Sequence, residues 1–424
     1  MPTSTGQTDE VLPEPLDRNR DFRVLLLSQG VSSLGDAVSF TALPLLVLAL
    51  TGSGLAMGVV GALQTLPDLV FGMVAGALAD RSDRKRMMFG ADLGRAVLTA
   101  LIPLSVLLGG PTMAIILLVA APLSMLRSLF LAGYTASVPA LVGRPQVARA
   151  NAIFETVYSA GYIVGPSIAG LLAAVIGPGP TLGVDAASFA LSSLGLFLVH
   201  RTLRAPIDRP QTRIVDDIHE GIVFIVGHPI LRAAILLWGI SAIVTAPIVA
   251  ALAFRITRDL GLSPTILGVV LTAYGIGTVG GSLAATRLGR RTSVAAVLLL
   301  GQFATGVALV GVTVVGLVPA MLAFAFVAGV SQSLVLVTYI TVRTAYSPDA
   351  LLGRVGSTAR VVSLGLQPLG MLAGGVLIDA TSGSTTIAVM GGALCVLALA
   401  FTPVRALRAA TLTGRHAGQP APAP

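Results

Sequence analysis

The chain has 424 residues, 54% of them hydrophobic and only 11% charged, with a formal net charge of +8. A soluble protein usually carries about 25% charged residues, so the polar material here cannot cover a water-facing surface, and lipid is the expected solvent for most side chains. The positive balance does not indicate nucleic acid, because the basic residues fall in short clusters between apolar runs and form no basic face.

In chain order, residues 1–21 are polar and lack the basic-then-apolar order of a cleavable signal, so they read as a tail. Twelve apolar runs of helix length follow. The first six lie at about 22–49, 56–79, 86–108, 111–136, 151–176 and 181–199, and make a first bundle over 22–199. Residues 200–231 are polar and then amphipathic. They read as a linker with a helix on the membrane surface, Ile218, Ile222 and Ile225 towards lipid and Asp216, Asp217 and Glu220 towards water. A second bundle over 232–404 takes runs at about 232–254, 265–286, 293–310, 314–340, 357–379 and 384–403, and residues 405–424 form a second tail, disordered by composition. Without strict polar–apolar alternation the spans are helices rather than barrel strands. The fold class is therefore an all-α membrane protein of twelve transmembrane helices in two six-helix bundles.

Tight turns such as Thr51-Gly-Ser-Gly54 and Gly177-Pro-Gly-Pro180 join neighbouring antiparallel spans. With both termini on one face, nearly all basic residues between spans share that face, and only Arg255 and Arg258 fall on the other. The bias of basic residues towards the cytoplasm then places both termini inside the cell, in the plasma membrane. Landmarks also repeat. Gly76, Leu78, Ala79 and Arg86 recur at one constant offset as Gly281, Leu283, Ala284 and Arg291, Arg149 recurs as Arg354, and Gly165 and Gly170 recur as Gly370 and Gly375. Two parallel six-span repeats around an axis along the membrane normal are the architecture of rocker-type secondary transporters.

Several residues in this frame carry chemistry. Carboxylates inside spans are costly unless they face protein or water. Five occur in the first half: Asp36, Asp68, Asp92, Glu155 and Asp185. A carboxylate removed from water holds a proton more readily, as a proton carrier must, and Asp36, Asp68 and Glu155 are the coupling candidates in that order. The alternative for Asp36 is a structural hydrogen-bond hub, and for Asp68 a local ion pair. Asp92 and Arg95, at i and i+3, are expected to satisfy one another. Arg127, deep in the fourth span, is expected to have a carboxylate partner or to line a cavity, and Gln64, Gln332 and Gln367 are candidate cavity hydrogen-bonders. Trp238 either stacks on a substrate or only packs. No histidine lies deep in a span, there is no G-x-x-x-x-G-K-[ST] loop for ATP, and the lone Cys395 excludes a cysteine metal site. An enzyme is therefore excluded and no cofactor is expected.

Gly76-Ala-Leu-Ala-Asp80-Arg81-Ser-Asp-Arg84-Lys85-Arg86 matches the loop between the second and third helices of the major facilitator superfamily, which the chain resembles over roughly residues 20–405. Gly281 to Arg291 looks like a degraded second copy, without the acidic residue at Ala285. Gly161-Tyr-Ile-Val-Gly165-Pro166-Ser-Ile-Ala-Gly170 resembles the fifth-helix motif associated with antiporters. Gln29 to Asp36, Thr41-Ala-Leu-Pro44 and Leu50-Thr-Gly-Ser53 look like the first helix of macrolide and multidrug efflux members, and the chain is also similar to siderophore exporters. The resemblance implies a cytoplasmic gate at Gly76, Asp80, Arg81, Arg84 and Arg86, in which Asp80 latches onto the second half near Gly356–Arg360. It implies a smooth, bent fifth-helix face that closes the outward side. The expectation is export of a small, amphiphilic or hydrophobic drug-like molecule driven by a proton gradient, by a protein functional as a monomer, with a siderophore or lysolipid exporter as the alternative.

Overall fold

The computed structural model describes residues 15–201, 203, 214–288 and 292–410. The first tail up to residue 14, most of the linker, Arg290 and Arg291, and the tail from residue 411 lie outside the described residues. So do the side chains of Asp68, Asp80, Asp216, Asp217 and Ile218.

Among the described residues there are helices and no strands, and twelve segments are long and apolar enough to cross a membrane. In the first half these are α1 (Arg20–Thr51), α2 (Gly54–Arg81), α3 (Arg84–Leu107), α4 (Thr112–Val142), α5 (Val147–Val175) and α6 (Pro178–Leu198). Their ends follow from local chemistry. Asn19 accepts from Phe22 N at 3.0 Å and Ser53 from Ala56 N at 3.2 Å, each capping a helix start. Gly52, at φ 68°, closes α1 and donates its N–H to Leu48 O at 2.8 Å, a left-handed cap that glycine permits without strain. Polar side chains inside spans fold back on their own helix, as where Ser137 Oγ donates to Gly133 O at 2.6 Å, which lets them sit in lipid-facing bundles.

The amphipathic helix α7 (Ile214–Gly227) precedes the second half. Its Gly221 lies against Thr358 and the Arg354 carbonyl, and Glu220 pairs with Arg354. Ile222 is exposed, but Ile225, expected to face lipid, is buried in the protein core, because α7 packs on the second bundle.

The seventh span, expected as one helix, is divided. It runs through α8 (Pro229–Thr245), α9 (Ile248–Phe254) and a π-turn at Arg255–Asp259, with Pro247 at the break. The eleventh is divided likewise into α13 (Leu352–Gly365) and α14 (Gln367–Ala380), with Pro368 just past the break. The others are α10 (Pro264–Leu288), α11 (Val294–Val314), α12 (Val318–Ala345) and α15 (Gly383–Ala400), with the short α16 (Arg405–Ala409) at the end.

Within the first half α1 packs on α5 and α6, and α3 and α4 complete the bundle. In the second, α12 packs on α10 and α11, and α11 on α15. The halves meet along two seams, α2 on α14 and α5 on α10. The repeated glycines occupy equivalent places in these seams. A Cβ at Gly165 would lie 2.5 Å from Ala37 of α1, and one at Gly370 would lie 2.1 Å from the Ile243 carbonyl of α8, each on its own half. A Cβ at Gly170 would lie 2.7 Å from the Pro264 carbonyl, and one at Gly375 would lie 2.5 Å from the Gly54 carbonyl, each on the opposite half. Small residues at these points let backbones touch.

The core is shared at one end only. One apolar cluster joins residues 42–60 to residues 249–271 and Ile378 across both halves, at the face opposite the termini. Towards the face that carries the termini the cores separate, one drawn from residues 16–203 and the other from residues 225–410. A Cβ at Gly72 or Gly76 on α2, or at Gly356 on α13, would meet no atom within 4 Å, so these glycines face open space.

Candidate functional site

A cavity of about 290 Å³ lies between the halves, midway along the spans. Leu43, Met57, Ile102 and Leu182 in its wall belong to the shared apolar cluster, which forms its floor and seals it from the face opposite the termini. Helix α1 brings Asp36 and Ser39 to the wall, α3 Arg95, α4 Arg127 and α6 Asp185. The second half contributes the turn at Ala246–Ala250, where the seventh span breaks, and Met371.

The charged groups form one cluster. Arg95 Nη2 donates to Asp36 Oδ1 at 2.6 Å and Arg95 Nη1 to Asp92 Oδ1 at 3.3 Å. The guanidinium also lies over the Phe189 ring, 3.7 Å from its centroid. Asp185 Oδ2 accepts from Ser39 Oγ at 2.5 Å, and Asp185 Oδ1 from Ser188 Oγ at 3.3 Å. The side chains differ in exposure: 28% for Asp36, 5% for Arg95 and 0% for Asp92, while Asp185 as a residue is 3% exposed. Arg95 is thus both the i+3 partner of Asp92 and the counter-charge of Asp36 on another helix. The i, i+3 spacing indicates the first pairing; the second depends on how α1 and α3 pack, which local spacing does not encode. Asp185 was visible as a carboxylate inside a span, but its tie to Ser39 crosses almost the whole first half.

Of the other candidates, Gln64 and Arg127 line the cavity and Trp238, Gln332 and Gln367 do not. Trp238 stacks on Tyr339 with ring centroids 5.3 Å apart and planes 12° from parallel, beside the second-half core. Gln332 is half-buried on α12, and Gln367 starts α14 at the break. Glu155 is exposed on α5, about two turns nearer the termini than Tyr162, which lies in the cavity wall. The candidate Asp68 lies outside the described residues as far as its side chain is concerned.

At the face of the termini the basic loop is partly a set of helix caps. Arg84 is buried and donates to Ala79 O at 3.2 Å and Ala136 O at 2.7 Å. Lys85 Nζ donates to Val199 O at 2.5 Å, and Arg201 to Leu141 O at 2.7 Å, so cations meet the free carbonyls of helix C-termini. Arg86 and Arg360 are exposed, and Arg81 has a partner. Arg255, one of the two basic residues assigned to the other face, is buried there and donates to Thr313 O at 3.0 Å. In the fifth-helix motif, Gly161 and Gly165 pack on α1, while Gly170 and the Pro166 carbonyl pack on α10.

At the opposite face Asp379 joins the halves. Its carboxylate accepts from Gly54 N at 2.5 Å, Leu55 N at 3.0 Å and Ser53 Oγ at 2.7 Å, all at the start of α2. Along the other seam Ser167 Oγ and Thr272 Oγ1 are 2.7 Å apart, and Thr272 Oγ1 also donates to Ile163 O at 2.8 Å. No group of three or more His, Cys, Asp or Glu residues suited to a metal ion occurs among the described residues.

The family model described as transmembrane secretion effector matches residues 14–421. The chain is 30% identical over 365 residues to the multidrug efflux pump Tap of Mycolicibacterium fortuitum, covering 84% of this chain and 89% of that relative. It is 26% identical over 341 residues to the enterobactin exporter EntS of Escherichia coli (O1:K1 / APEC), covering 79% of each. The solved structure of the nucleoside transporter NupG superposes with a TM-score of 0.76 at 13% identity, over 91% of this chain and 99% of that one, a likeness of fold alone.

Proposed function

The chain belongs to the transmembrane secretion effector family of the major facilitator superfamily, whose fold moves small molecules across a membrane by alternating access, and from that premise we propose proton-coupled export of small hydrophobic or amphiphilic compounds, drug- or macrolide-like in class. The observation that carries this reading is the cavity itself. It holds a cluster of carboxylates around one arginine, stands between two halves, and is sealed at one face while the halves part at the other. Both termini are taken as cytoplasmic, so the cavity of this state opens inward, ready to load a compound from the cytoplasm or the inner leaflet.

In this reading the carboxylates Asp36, Asp68 and Glu155 are candidates for carrying the proton, Gln64 and Arg127 contact the substrate, and Asp80 with Arg360 closes the cytoplasmic side in the opposite state. The aromatic rings of Phe40 and Tyr162, 6.3 Å apart at the cavity, suit an apolar or aromatic compound. The likeness to a multidrug efflux pump supports drug export. The likeness to an enterobactin exporter supports a siderophore as the second reading.

Purified protein in proteoliposomes, given a panel of cationic dyes, macrolides, catecholate siderophores and lysolipids, should accumulate one class when a pH gradient is imposed. Movement of the same compounds without regard to the gradient would refute proton coupling. Gradient-driven movement of siderophores alone would select the second reading.

A further inference from the structure

Three carboxylates and one guanidinium share the described cluster. Arg95 touches Asp36 and Asp92. Asp185 is buried, and no ion pair reaches it within 4 Å among the described residues; it is held by the hydroxyls of Ser39 and Ser188. If all three acids were ionised, Arg95 would be shared between Asp36 and Asp92, and Asp185 would be a buried negative charge with no ion pair within 4 Å among the described residues, an arrangement a low-dielectric interior strongly disfavours. Asp36 keeps contact with the cavity and Asp92 lies against Arg95, so the excess charge falls on Asp185.

We propose that Asp185 carries the transported proton, and that Arg95 moves from Asp36 to Asp185 as that proton leaves. The proposal rests on proton-coupled export as proposed above and names Asp185 as the carrier in place of Asp36, Asp68 and Glu155.

The surroundings suit a group that changes its protonation. A serine hydroxyl both donates and accepts. Ser39 therefore donates to the Asp185 carboxylate and accepts from the Asp185 acid without the helices moving. Gly35 makes the contact available: a Cβ there would lie 2.8 Å from Asp185 Oδ1 and 2.0 Å from Ser188 Oγ, so α1 and α6 touch at this point. The path for Arg95 is also laid out. Its guanidinium lies over Phe189, one turn along α6 from Asp185, so the cation already stands against the helix that carries Asp185.

The exchange balances. When Asp185 releases H⁺ its carboxylate becomes anionic, and Arg95 turns to it. Asp36 then faces the cavity as a free carboxylate, open to the polar end of a substrate. When H⁺ returns to Asp185, Arg95 returns to Asp36 and displaces that group. The charged or titratable groups around Asp185 are Asp36 on α1, Asp92 and Arg95 on α3, Arg127 on α4 and Tyr162 on α5, all in the first half.

Infrared spectroscopy of the full-length protein in lipid nanodiscs tests this without a known substrate. The wild type should show a protonated-carboxyl stretch at neutral pH that disappears reversibly as the pH is raised. The band should be absent in Asp185→Asn, present in Asp36→Asn, and shifted in frequency in Asp185→Glu. Asp185→Glu covers the case in which Asp185→Asn fails to fold. A band that survives in Asp185→Asn, or that is lost in Asp36→Asn instead, overturns the proposal. So does the absence of any band, or one that persists at every pH the fold survives, which would make Asp185 a structural acid. Flux of the dye ethidium in proteoliposomes is followed separately. A wild type with the titrating band and no gradient-driven flux of any panel compound refutes proton-coupled export while leaving the protonation of Asp185 established.

Discussion

Replacing Asp379 by Asn should loosen the face opposite the termini and shift the protein towards the state open there. Asp379 stands at the C-terminal end of α14, where the helix dipole disfavours a negative charge. Its position is explained by the neighbour across the seam, since the carboxylate meets the free N–H groups at the start of α2, the positive end of that helix. Three donors, Gly54 N, Leu55 N and Ser53 Oγ, therefore depend on a residue of the other half. Asn retains the shape but has one acceptor oxygen, no charge and an NH2 group that opposes an N–H donor. A buried charge-assisted hydrogen bond contributes about 1.5–3 kcal/mol, but Asp379 is exposed and solvent screens it. A loss of about 1–2 kcal/mol for the set is the reasonable scale, equivalent to a factor of about 5–30 in the ratio of the two states.

The assay is double electron–electron resonance between spin labels at Leu108→Cys and Leu317→Cys, with the native thiol removed by Cys395→Ser. Both positions are exposed, lie at the opposite face and belong to different halves. The longer-distance population should grow in Asp379→Asn. If the distance distribution matches the parent in Asp379→Asn and in Asp379→Ala, Asp379 does not hold the halves together, and closure rests on the glycine seams and the apolar cluster alone.

Gly170→Leu should block closure of the same face while the protein still inserts, because its Cβ would lie 2.7 Å from the Pro264 carbonyl; overpacking of this kind costs about 1–3 kcal/mol. An unchanged distance distribution between the same labels, with transport retained, would refute it. Thiol labelling at Gln7, Gly179 and Arg209 should place Gln7 and Arg209 inside the cell and Gly179 outside, and labelling of Gly179→Cys only from the cytoplasm would invert the orientation. Asp80→Asn should lower the population closed at the face of the termini and reduce transport several-fold with normal insertion; distances between the ends of the halves at that face that match the wild type would remove Asp80 from the gate.

The spans were legible because hydropathy over a run of helix length outweighs local detail, and the described α1 at Arg20–Thr51 lies close to the expected 22–49. The breaks in the seventh and eleventh spans were written in Pro247 and Pro368, but a proline within an apolar run marks a kink only when the packing around it is known, and Pro44 lies inside an unbroken α1. Asp92 with Arg95 was legible because i, i+3 is a local relation. Asp36 with Arg95, Asp185 with Ser39 and Asp379 with the start of α2 were not, because each joins residues far apart in the chain. Ile225 was misplaced for the same reason: amphipathicity marks an apolar face on α7 without saying whether lipid or protein covers it, and here α8 and α13 do.

The two seams and the cavity divide the work of the repeat unequally. Gly170 and Gly375 occupy equivalent positions and each touches the second helix of the other half, so the closing surfaces have kept the symmetry. The cavity has lost it. Its described charged residues, Asp36, Arg95, Arg127 and Asp185, all belong to the first half, and the second half presents the apolar turn at Ala246–Ala250 and Met371. A rocking motion must separate groups held by different halves, whereas groups held by one half move together. Placing every described acid of the cluster with its arginine in one half keeps their mutual distances nearly constant while the seams open and close. In the proposed cycle the exchange of Arg95 between Asp36 and Asp185 therefore takes place within one half, and rocking of the other half does not have to break it.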